Sequence, residues 1–292
     1  MLTHSRCGRK NKRAGIPLSY FSLFITHLYT HFQLAKKYLR YYLSASSGKG
    51  HGVHSPFVFD LIKNVLRDKK KYGCYTEIEL QREKLTLNKS LIEVADFGAG
   101  STLIKTNRRM VKHIANSSLK PKKYAQLLFR MVQYYKPATI IELGTSFGIT
   151  SAYLSFGNTN AQLFTCEGAN SIAAIAQETF RSLQIKNIEM IRGDFAKTLP
   201  PLLQKIKAPD FVFIDGNHRK GPTLQYFQQL LNHSTTSTIL VFDDIHWSAE
   251  MEAAWSVIQQ HPAVTLTVDL FFIGLVFINP DFKVKQHFTI RF

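Results

Sequence analysis

From about residue 120 onward, short apolar runs alternate with segments whose apolar positions recur every three or four residues. The runs are Thr139–Leu143, Gln162–Cys166, Ile188–Arg192, Phe211–Ile214 and Ile239–Phe242. Each is short and rich in β-formers, which predicts strands covered on both faces. The segment ahead of the first run, Tyr124–Tyr135, sets Leu127, Leu128, Met131 and Val132 on one helical face. Alternation of this kind predicts βαβ units and a doubly wound parallel sheet. The end of the chain breaks the rhythm. Val264–Leu270 and Gly274–Ile278 are separated by only a short turn, which predicts an antiparallel hairpin at one edge.

The front of the chain reads differently. Residues 16–43 carry apolar positions at helical spacing, interrupted by His27 and His31 and followed by cations where a signal-peptide cleavage site would belong. A Gly/Ser hinge follows. Ser55-Pro56 then offers an N-cap and a first-turn proline, predicting a helix from Pro56 to about Lys70. His51 and His54 could be metal ligands, but as a loop pair without a third donor they read as structural or solvated.

Charge sharpens the division. Residues 1–136 hold 26 Lys+Arg against 7 Asp+Glu, a net +19, while residues 137–292 hold 11 against 13, a net −2. No acid occurs before Asp60, and Arg6, Arg9, Lys10, Lys12 and Arg13 cluster at the start. We therefore expect a basic amphipathic leader over 1–50, a helical cover region over 51–117 and a main domain over 118–292. With 292 residues, 45% of them hydrophobic, the chain can build a large core, which excludes bulk disorder, collagen and coiled coil. Cys7, Cys74 and Cys166 are odd in number and far apart, fitting neither a disulfide framework nor a zinc knuckle. No uncharged apolar stretch is long enough to span a bilayer. These features point to a reducing, cytoplasmic setting.

Ligands of doubly wound sheets bind beyond the carboxyl ends of the strands, so the strand ends carry the candidate chemistry. The first ends Glu142-Leu143-Gly144-Thr145-Ser146-Phe147-Gly148, two glycines bracketing a turn into a helix. Such a turn lets a ligand approach the backbone and faces it with a helix N-terminus. Ser146 stands where the dinucleotide fingerprint needs its second glycine, and no phosphate loop is present. The second strand ends at Glu167, 25 residues after Glu142, where an acid can accept from two ribose hydroxyls. The third ends at Asp194, the fourth in Asp215-Gly216-Asn217-His218 and the fifth in Asp243-Asp244-Ile245-His246-Trp247.

Taken together and in this order, these motifs resemble the class I S-adenosylmethionine-dependent methyltransferases over about residues 118–292. The resemblance implies a Rossmann-like sheet of seven strands whose last strand is antiparallel. It also implies S-adenosyl-L-methionine as cofactor, with Gly144 and Gly148 lining its methionine part, Glu142 holding its amino group and Thr150 contacting its carboxylate. Glu167 would bind the ribose and Asp194 would sit near the adenine. The segment Lys122–Val132, with the fourth and fifth strand ends, is similar to the metal-dependent catechol and caffeoyl-CoA O-methyltransferases. That likeness implies Mg²⁺ or a similar divalent ion held by Asp215, Asp243 and Asp244, a hard-oxygen donor set. His218 stands where the catechol enzymes carry a lysine base. The alternative for Asp243 and Asp244 is that they cap the following helix.

The expected activity is methyl transfer to a small-molecule acceptor, most simply a hydroxyl, with Asp215 and His218 as the catalytic pair. Two other readings stay open: an RNA methyltransferase using the basic front half, and a membrane-surface enzyme docking through residues 16–43 onto a lipid-linked acceptor. The absence of an [DN]-P-P-[YFW] motif and of a suitable cysteine pair weighs against nucleic acid. The oligomeric state is open, a homodimer included. The run Glu93–Gly100 imitates a second strand-turn motif, but it is followed by Lys105, Arg108, Arg109 and Lys112 rather than by an acid. It reads as part of a loop over the active site. With His54–Asp60 it resembles the front of a bacterial subfamily of such enzymes.

Overall fold

A computed structural model describes residues 28–46, 48–50, 53–94 and 108–292. The basic cluster Arg6–Arg13, His51 and the Asp96–Gly100 turn lie outside them. The chain opens on α1 (His31–Ser44), whose start carries a reciprocal cap between Thr30 and Gln33. Next is α2 (Pro56–Leu61), capped by Ser55 as its sequence predicts. It runs into a π turn over Ile62–Leu66, where the Arg67 N–H reaches the Ile62 carbonyl at 3.0 Å. That wide turn ends the helix near residue 66, short of Lys70.

The helix α3 (Cys74–Leu87) and a two-stranded ribbon, β1 (Leu91–Glu93) against β2 (Arg108–Met110), precede α4 (Val111–Ser118) and α5 (Lys122–Tyr135). From there the alternation is strict: β3 (Thr139–Leu143), α6 (Ile149–Gly157), β4 (Gln162–Glu167), α7 (Asn170–Ser182), β5 (Ile188–Arg192), α8 (Phe195–Ile206), β6 (Phe211–Ile214), α9 (Lys220–Leu231), β7 (Ile239–Asp243) and α10 (Ala249–Gln260). The chain closes with β8 (Leu266–Asp269), β9 (Ile273–Phe277) and β10 (Gln286–Thr289).

The main sheet runs β10-β8-β9-β7-β6-β3-β4-β5. It has eight strands where seven were expected, because β10 adds itself in parallel beside β8. Only β9 is reversed, pairing antiparallel with both β7 and β8. The reversed strand is thus the penultimate one, and the predicted hairpin lies one strand in from the edge.

Strand pleating sorts the core into two layers. Ile140, Phe211, Phe213 and Val241 face one side with Leu127, Leu128 and Met131 of α5. Ile141, Val212, Ile214 and Leu240 face the other with Leu199 of α8, Phe227 of α9 and Trp255 of α10. Phe211 and Phe213 are fully buried, each stabilising the sheet by roughly 2–3 kcal/mol. The chain leaves β3 for β4 and β5 and returns to β6 on the other side of β3. Strand order reverses there, at the carboxyl ends of β3 and β6, the position where doubly wound sheets take their ligands.

Candidate active site

The first half of the site is the turn after β3. Gly144 has φ of 107°, and a Cβ there would overlap the carbonyl oxygen of Asp215. Only glycine lets β3 and the β6 end approach so closely. Gly148 precedes α6 at φ of 79°, and a Cβ there would strike the Phe180 ring. Thr150 follows in the first turn of α6 and is buried.

Glu142 is wholly buried beneath this turn. Its Oε2 accepts from the hydroxyls of Ser151 and, at 2.6 Å, of Thr165, whereas Oε1 has no partner. Burial drives the carboxyl up to about 8 despite these two donors, with Asp215 and Glu167 adding to the rise. A carboxylate with an unmet buried oxygen is a receptor for a cation. Glu167, at the end of β4, spans the turn instead: its oxygens accept from the N–H groups of Ser146 (3.0 Å) and Ala169 (2.9 Å). Burial still raises its carboxyl above the ordinary range. Asp194 caps α8 by accepting from the Ala196 N–H at 3.1 Å. Glu142, Glu167 and the two glycines therefore meet at one turn, while Asp194 marks the next strand end outward.

The second half of the site lies where β6 and β7 end. Asp215 Oδ1 is 3.4 Å from His218 Nε2, and His218 Nδ1 is 3.9 Å from Asp244 Oδ2. Burial alone would discharge this histidine, but Asp215 and Asp244 outweigh it and hold the imidazole above its ordinary value. Burial also works against the Asp215 carboxylate, yet Lys120 and His218 keep it below its ordinary value. Asp243 is buried, its Oδ1 without a partner, and its Oδ2 pairs with the ammonium of Lys120. Lys120 is itself 8% exposed and lies 3.8 Å from Asp215. Ser248, not either aspartate, caps α10, accepting from the Met251 N–H at 3.1 Å. Trp247 is 37% exposed and its backbone carbonyl accepts from Tyr29.

Sequence reasoning missed Lys120. The only local signal is its place immediately before Pro121, which fixes the backbone entering α5.

Residues 141–245 match the family described as a methyltransferase domain. Over that segment the chain resembles a methyltransferase domain. Outside that segment the likeness extends over more of the chain. A catechol O-methyltransferase of Niastella koreensis is 31% identical over 126 residues, which are 42% of this chain and 55% of that protein. The chain thus spans about half the length of that relative. Among solved structures, an O-methyltransferase from Bacillus cereus in complex with S-adenosylhomocysteine superimposes with a TM-score of 0.50 at 18% identity, covering 76% of this chain and 97% of that one. An S-adenosylhomocysteine-bound methyltransferase from Podospora anserina gives 0.54 at 13% identity, over 77% and 97%. At such identities the structures establish the fold.

At these strand ends the implied cofactor and metal fare differently. The glycine turn, closed to any Cβ, and the unmet oxygen of Glu142 fit a ligand carrying an ammonium group. The implied metal set does not assemble. Asp244 takes a left-handed backbone at φ of 52° and turns its carboxylate toward His218. The donors that do converge within 4.8 Å are Asp215, His218 and Asp243. Lys120 already pairs with two of these three, so the cluster does not fit a resident divalent ion.

Proposed function

We propose that this protein transfers the methyl group of S-adenosyl-L-methionine to a hydroxyl of a small-molecule acceptor. The observation that carries this reading is the strand-order reversal, with the Glu142–Gly144–Gly148 turn on one side and the Asp215–His218 pair on the other. When bound, S-adenosyl-L-methionine supplies an electrophilic methyl on a sulfonium.

The chain's own residues supply the rest. Glu142 meets the amino group with its free oxygen, Gly144 and Gly148 open the floor, and Thr150 offers a hydroxyl at the start of α6. Glu167 does two jobs, holding the turn through its backbone donors and facing the ribose, with Asp194 farther out toward the base. His218 takes the proton of the acceptor hydroxyl on an imidazole nitrogen while Asp215 holds the ring. The methyl moves to the acceptor oxygen, sulfur keeps the bonding pair, and an ether and S-adenosylhomocysteine leave. Positioning and exclusion of water account for most of the acceleration in such a transfer.

The test is transfer of labelled methyl from S-adenosyl-L-methionine to a panel of phenols, sugars and RNA. Label in a small hydroxyl compound, lost in His218→Ala, is the expected result. Label confined to RNA, or no transfer by folded protein, would overturn the reading.

A membrane contact is favoured by one further feature. Along α1, Phe32, Leu39 and Leu43 are 80%, 57% and 72% exposed and lie along one stripe with Lys36, and Arg40 lies beside it. A basic helix with an uncovered apolar stripe suits an anionic lipid surface. No helix among the described residues is long and apolar enough to cross a membrane. Co-sedimentation with anionic vesicles, weakened by salt and by Phe32→Ser with Leu43→Ser, is the expected outcome. Equal sedimentation of the double variant would remove this contact.

A further inference from the structure

We infer that the Lys120 ammonium is the resident cation of the carboxylate cluster at the ends of β6 and β7, in the place a divalent ion would otherwise take. The extension to catalysis rests on the methyltransferase reading above: the transfer then runs without added metal, and Lys120 acts as a positioning residue.

Three observations support it. Lys120 is almost fully buried, and a buried ammonium persists only where carboxylates surround it. Its nitrogen pairs with Asp243 and sits 3.8 Å from Asp215, so a single charge serves both acids. A divalent ion bound to these oxygens at roughly 2 Å would have to expel that ammonium. Yet the lysine is anchored by Pro121 at the start of α5, a helix whose Ala125, Leu127 and Leu128 are fully buried.

The donor chemistry agrees. Of three aspartates that could form a hard-oxygen cage, Asp244 faces the other nitrogen of His218 instead. The third group to converge is an imidazole, a poor ligand for Mg²⁺. Lys120, 3.8 Å away, also explains how the half-buried Asp215 can stay ionised and so fix His218 Nε2. Its ammonium does by a covalent tether what a metal would do by coordination.

The discriminating feature is that removing the ammonium should create a metal site. Without Lys120, Asp215, Asp243 and His218 retain converging donors and an uncompensated negative charge. Chelator-treated wild type, Lys120→Ala and Lys120→Met are titrated with Mn²⁺ and Mg²⁺ by calorimetry, with Mn²⁺ uptake followed by electron paramagnetic resonance. Melting curves accompany each variant, and S-adenosylhomocysteine binding is measured on the same samples. We expect no saturable uptake by the wild type and at least about tenfold tighter Mn²⁺ binding by a folded Lys120 variant, abolished again by adding Asp243→Asn.

Saturable Mn²⁺ binding by the wild type overturns the inference, and so does a folded variant that gains nothing. The wild-type titration decides even where both variants fail to fold. Loss of S-adenosylhomocysteine binding by the wild type would sink the methyltransferase reading and leave the metal result standing.

Discussion

Two histidines, each set between two carboxylates and near a lysine, are put to opposite uses in this molecule. The ring nitrogens of His246 donate to the carboxylates of Glu252 at 2.9 Å and Asp269 at 2.8 Å, and its ring stacks on Phe271 with centroids 5.1 Å apart. Glu252 is further held by Lys37 at 2.9 Å and the Tyr29 hydroxyl at 2.6 Å. Every polar atom of this knot has a near partner, and the result is a clasp joining the front of the chain and α1 to the β7–β9 end of the sheet. His218 meets Asp215 and Asp244 only at 3.4 and 3.9 Å, beside an Asp243 oxygen with no partner. The same residue types, brought closer, become structure; left loose at a strand-order reversal, they remain available for chemistry.

The comparison breaks most visibly by exchanging the two histidines for alanine. His218→Ala should lower methyl transfer roughly 10²–10⁴-fold, the range for loss of a general acid–base group, with the melting temperature held. In the wild type the rate should climb with pH along a limb centred above the ordinary imidazole value, because the raised His218 must first lose its proton. Full activity in His218→Ala would assign the base elsewhere.

Glu142 carries the comparison to a carboxylate with one unmet oxygen. Its folded value near 8 lies above its unfolded value, so its contribution to stability is present at acid pH and is lost as pH rises toward 8. Glu142→Gln should therefore be more stable than wild type at pH 9 without ligand, by up to roughly 5 kcal/mol. The same variant should bind S-adenosylhomocysteine weakly. Unchanged melting at pH 9 would mean that the carboxylate already has a cation.

His246→Ala should cost about 2–3 kcal/mol of stability while leaving the rate per folded molecule intact. His246 is also held above its ordinary value: burial opposes the charge, and Asp269 and Glu252 restore it. That stabilisation is complete below the ordinary imidazole range and disappears as pH rises through the raised value. Melting curves of the wild type against pH should show this alkaline loss, and those of His246→Ala should not. The smallest change is Lys37→Ala. Lys37 is 35% exposed, so its pair with Glu252 is screened and worth at most about 1 kcal/mol. A larger loss would mean that α1 is held chiefly by that ion pair rather than by Tyr41 and Phe271 in its small apolar contact.

What could be read from the sequence followed from local pattern. The five parallel strands and their terminal acids were legible because apolar runs and strand-end carboxylates are contiguous in the chain. The β10 strand was not: Gln286–Thr289 alternates half-buried and exposed positions at an edge and carries no apolar run. Nor was Lys120. It stands among Lys122 and Lys123 as one more cation in a basic stretch, and it acquires its meaning only from Asp215 and Asp243, about a hundred residues later in the chain. Asp244 was misplaced for a related reason. Adjacent aspartates at a strand end look equivalent in sequence, but a left-handed backbone at the second turns the two side chains to different partners. The His246 clasp likewise joins residues from a loop, a helix and a strand that no spacing rule connects.

The central claim is that the turn between β3 and α6 holds the methyl donor, and it is tested most directly by calorimetric titration of S-adenosylhomocysteine into wild type and Glu167→Ala. The account predicts saturable, one-to-one binding by the wild type and none by the variant, with both proteins folded by their melting curves. Folded wild-type protein that takes up no ligand, or a Glu167→Ala variant that binds as well as wild type, would contradict it.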